Sequence, residues 1–208
     1  MKGKVLLPGL IFLLILAGTW MYIKMTTSEK DQAGGAEEII LREPYPIDSD
    51  KADVNSLPAD FNKEQRVVDF LEFVHSNKAR KAIGKDNIVT LQAIVKMSQA
   101  INAISTETEN NTEVEGHLKE FNGKVNELIK NPALADDPSD LKELFTSTSN
   151  VLTGLQKENF PSLDQTSKDI NNKANELSTD TSVRAQQNEI EDFFVEVAGI
   201  IDNMEQPS

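Results

Sequence analysis

The sequence predicts an all-α protein: an elongated up-and-down helical bundle with coiled-coil character, preceded by a single transmembrane helix and a flexible linker. Three observations predict it. An uncharged apolar run lies near the N-terminus, apolar residues recur at helical spacing from about residue 62 onward, and useful strand alternation is absent there. Hydrophobic residues make up 38% of the 208 residues and aromatic ones 6%, so the core must be narrow and mostly aliphatic, which suits helices sharing a seam.

The apolar run spans 5–23, VLLPGLIFLLILAGTWMYI, with 11 Leu, Ile, Val or Phe among its 19 residues. At 1.5 Å per residue it covers roughly 28 Å, the thickness of the hydrocarbon layer. Those aliphatic and phenyl side chains favour insertion by roughly 3 to 7 kcal/mol before penalties for Pro8 and the glycines. Trp20 and Tyr22 sit beside Lys24, as at a membrane–water boundary. Ala17-Gly18-Thr19-Trp20 makes a poor cleavage site, which favours a retained signal anchor over a removed signal peptide. Residues 1–4 are then a short cytoplasmic tail, and the rest of the chain faces the periplasm from the inner membrane.

Residues 24–60 read as an extended, flexible linker. The 26–35 stretch is polar and glycine-bearing, and Pro44 and Pro46 impose extended backbone after Ile39-Ile40-Leu41. The bundle then occupies 61–205. Val67, Phe70, Leu71 and Val74 form the stripe of a helix over 62–83, with Asn62 and Gln65 as a capping box and a stop near Gly84. Ile88, Leu91, Ile94, Met97, Ile101 and Ile104 mark a helix over 87–109, which the sequence leaves free to be continuous with the first.

Thr112 and Glu115 resemble a capping box for a helix over 112–130 carrying Val114, Leu118, Phe121, Val125 and Leu128. Asp137 as N-cap and Pro138 at the first helical position open a helix over 138–159, with Leu141, Leu144, Phe145, Thr148, Val151, Leu152 and Leu155 on one side. Ser162 with Gln165 suggests a cap for a thin helix over 162–178. The last helix, 181–204, has a wide apolar face of Ile190, Phe193, Phe194, Val197, Ile200, Ile201 and Met204.

Charge and residue type exclude several functions. Lys2, Lys4 and Lys24 are the only charged side chains in 1–24, so 25–208 holds 18 basic against 34 acidic residues, a net charge of −16. Such a domain repels nucleic acid, and none is expected as a partner. Cysteine is absent, which removes disulfides, thiolate metal sites and a cysteine nucleophile. His75 and His117 lie on different helices without the spacing of a metal pair. Lys81–Lys85 departs from a phosphate loop, having Ala79 and Asp86 where glycine and Ser or Thr are needed.

Asp48, Asp50 and Asp53 lack calcium-loop spacing, and Asp136, Asp137 and Asp140 suit a helix N-terminus. No catalytic residue, metal or cofactor is therefore expected. The expected function is a membrane-anchored, non-enzymatic interaction or scaffold protein that binds a protein partner or itself through its helices. The contact face assigned to it is Ile190, Phe193, Phe194, Val197 and Ile201, wider than a bundle core needs. The alternative is an extracytoplasmic ligand-sensing bundle acting through a separate membrane partner.

Overall fold

The computed structural model describes residues 63–106 and 112–205. These residues form a helical bundle of seven α-helices and three short 3-10 turns, with no strand among them. The helices are α1 (Lys63–His75), α2 (Asn77–Ala82), α3 (Asn87–Ser105), α4 (Thr112–Lys130), α5 (Pro138–Asn159), α6 (Asp164–Glu176) and α7 (Gln187–Glu205). The 5–23 and 24–60 segments and the Asp48–Asp53 cluster lie outside the described residues. Among the described residues no helix is long and apolar enough to cross a membrane.

The expected 62–83 helix is two helices. Ser76 leaves helical geometry (φ −65°, ψ 119°), and the chain restarts as α2. Gly84, with φ +76°, then reverses the chain, and Lys85 and Asp86 both donate their backbone N–H to the Ala82 carbonyl. Asp86 caps α3 by accepting from the N–H groups of Ile88 (2.9 Å) and Val89 (3.2 Å). Buried Thr90 ties the turn to that helix: its Oγ1 accepts from the Gly84 N–H and donates to the Asp86 carbonyl, both at 2.9 Å. The first two long helices are therefore a hairpin, and α1 packs along α3.

Further along, α4 packs on α5, α5 on α6, and α6 on α7, while α7 closes against α1 and α3. Asp137 accepts from the N–H groups of Ser139 and Asp140 at the start of α5. The cap expected from Ser162 and Gln165 does not form. Pro161–Leu163 make a 3-10 turn that runs directly into α6, so Ser162 is not at the cap, and Gln165 donates to Asp169 instead.

The last helix starts at Gln187 rather than 181. A 3-10 turn (Val183–Gln186) precedes it, and buried Gln186 plugs the 178–186 loop. Its Nε2 donates to the carbonyls of Ser178 and Thr181, and its Oε1 accepts from the Ser178 N–H.

One continuous core runs through the bundle. Helices α3 and α5 each carry eleven buried residues. Phe145 of α5 stacks on Phe193 of α7 with centroids 3.8 Å apart, and Phe194 meets Phe145 edge-on at 5.7 Å. Where α4 crosses α5, a Cβ on Gly154 would stand 3.0 Å from a Val114 methyl, so glycine sets how closely these helices approach.

Candidate functional site

The five residues assigned to partner contact, Ile190, Phe193, Phe194, Val197 and Ile201, are each 0% exposed. The wide face of α7 is filled by its own bundle, since α7 meets α1, α3 and α6 and its phenylalanines reach Phe145 of α5. A helix seated among several neighbours needs apolar side chains over most of its circumference, which accounts for the width. In the folded bundle this face presents nothing to a partner.

The titratable candidates are dispersed. His75 is exposed at the end of α1, while half-buried His117 lies 3.9 Å from Glu113 one turn away. No group of three or more His, Cys, Asp or Glu able to hold a metal occurs among the described residues. Asp137 serves as an N-cap, and Lys81–Lys85 form a helix end and turn. Among the described residues, Asp140 is the carboxyl whose pKa departs from its ordinary value. Burial, then the charges of Asp137 and Glu143, raise its pKa above the ordinary value, with Lys124 opposing.

Lysines join neighbouring helices. Lys124 of α4 is raised by its hydrogen bond to Glu143 of α5, and Lys173 of α6 by its bond to Glu176, with Asp192 of α7 within 3.5 Å. Lys142 of α5 donates to the Leu177 carbonyl at 2.8 Å and so caps the C-terminal end of α6. Arg80 of α2 pairs with Glu191 of α7, its Nε 2.7 Å from the carboxylate.

The most organised polar group was not anticipated from the sequence. Asn102 of α3 and Asn122 of α4 exchange a reciprocal pair of amide hydrogen bonds, at 2.8 and 2.9 Å. Asn102 Nδ2 also donates to the Ser98 carbonyl at 2.8 Å, which fixes the direction of its amide. The Ser98 hydroxyl completes the group, 3.4 Å from Asn122 Oδ1. A sequence signal existed: Ser98 and Asn102 are one turn apart, flanking the apolar stripe that passes through Met97 and Ile101. A reciprocal amide pair between helices sets register, because any slip strands its donors and acceptors.

Comparison with family models, curated proteins and solved structures finds no match to this chain.

Proposed function

We propose that the protein is a membrane-anchored, non-enzymatic interaction module whose up-and-down bundle, with coiled-coil character, stands in the periplasm on a flexible stalk. The observation carrying this reading is the order of parts: a 19-residue uncharged span, a polar linker, then an acidic bundle with a core of its own.

Val68 (37%) and Ile88 (62%) are the exposed large apolar side chains among the described residues. Recognition in the folded state therefore falls to the polar outer faces of the helices, with partners chosen by charge and hydrogen bonding. Contact through Ile190, Phe193, Phe194, Val197 and Ile201 would require α7 to leave its seat.

The test uses the full chain with a C-terminal tag in bacterial cells. An anchored chain resists alkaline extraction from membranes, and its tag is digested by protease added to spheroplasts. Extraction into the soluble fraction would refute the anchor, and a protected tag would refute the orientation. Crosslinking in intact cells, with mass spectrometry of what co-purifies, tests the interaction role. A stoichiometric envelope partner, or a second copy of the chain, supports it. Recovery of the uncrosslinked chain alone would replace it with the ligand-sensing reading.

A further inference from the structure

Asn122–Gly123 is the only Asn-Gly step in the chain. In a mobile backbone such a step is chemically labile. The Gly123 nitrogen gives up its proton to solvent base and attacks Cγ of Asn122, and a succinimide ring closes as the side-chain nitrogen departs as ammonia. Water then opens the ring to aspartate or isoaspartate. Glycine speeds the attack because no side chain hinders approach.

The fold blocks both reacting atoms. Asn122 lies within α4, where the Gly123 N–H is committed to the helical ladder and held away from the side chain before it. The Asn122 amide is meanwhile drawn across to α3 by its two bonds to Asn102. Yet α4 is a weakened helix: Gly116 and Gly123 lie in its interior, each lowering helix stability relative to alanine. Packing demands neither of them, since a Cβ at either position would have no neighbour within 4 Å.

We propose that Asn122 is a conformation-gated deamidation site, held shut by the Asn102 pair and released by local opening of α4. The change runs one way. An aspartate at 122 places an oxygen where Nδ2 donated to Asn102 Oδ1, and Asn102 cannot turn to suit it because Ser98 holds its Nδ2. Isoaspartate adds a methylene to the backbone and breaks the helix at that point. Each opening of α4 thus risks a permanent loss of the α3–α4 register, and the site records how long the bundle has spent open.

The experiment ages the full-length chain in detergent at mildly alkaline pH, with and without denaturant, and follows Asn122 by peptide mass spectrometry with isoaspartate detection. Conversion should be at least about tenfold slower in the folded chain than in the unfolded one. Gly116→Ala, which has room for its methyl, should slow conversion in the folded chain about fivefold further and leave the unfolded rate unchanged. Asn102→Ala should move the folded rate toward the unfolded rate, and Gly123→Ala should suppress conversion in both. Equal rates with and without denaturant would overturn the proposal. So would a folded-state rate that Gly116→Ala leaves unchanged, a result that stands even where Asn102→Ala fails to fold.

Discussion

Gly84 shows how much one backbone angle carries. Its φ of +76° lies in the left-handed region, and a Cβ there would stand 3.0 Å from the Gln187 Cα. Gly84→Ala should therefore cost about 1–2 kcal/mol for the backbone alone, with the clash against α7 adding to it. A fall in the denaturation midpoint with an unchanged slope would confirm this; wild-type stability would refute it.

Asp140 makes a prediction about pH. Its pKa is raised in the folded state, so below the unfolded value, near pH 4, the neutral carboxyl does no harm. Stability is then lost as pH rises through the folded value, because the charged form is the one that burial and neighbouring acids oppose. Asp140→Asn should raise Tm at pH 7, and the gain should vanish below about pH 4. A gain that persists in acid would assign the effect to something other than charge.

At the scale of helices, legibility followed the cause of each boundary. The start of α5 was readable because Asp137-Pro138 supplies both a cap acceptor and a fixed φ, and both act locally. Asp137→Ala should cost about 1 kcal/mol in chemical denaturation, whereas Asp136→Ala, at an exposed neighbour, should change little.

The boundaries that sequence misplaced are set by tertiary contacts. The break at Ser76 parts α1 from α2 ahead of the reversal at Gly84, and no glycine or proline marks it. The late start of α7 depends on Gln186 reaching back to Ser178 and Thr181, which periodicity cannot signal. The thin helix α6 shows the same dependence, since the lysine capping its far end belongs to α5. The Asn102–Asn122 pair escaped for a related reason: each asparagine alone looks like a surface residue, and only the alignment of two helices makes them partners.

Over the whole molecule, the apolar pattern revealed the helical class, while the use of the apolar faces needed the packing. The wide stripe on α7 suits a docking face and a central helix equally in sequence; only the arrangement of α1, α3, α5 and α6 around it distinguishes them. Phe193→Ala should cost about 3–5 kcal/mol, a large part of a small domain's stability. A Tm near wild type would mean that the α5–α7 phenylalanine stack is not a core contact in solution.

The hairpin made by α1 and α3 also has a mechanical consequence. A pull applied at Lys63 enters the described chain through α1, while α7 starts beside Gly84 and returns along α1 and α3 toward that same end. Tension between the two ends of the described chain would peel α1 from its neighbours one turn at a time, loading few contacts at once. The bundle should yield at low force from α1 inward, and a tug that leaves α3 and α5 intact would strip α1 first.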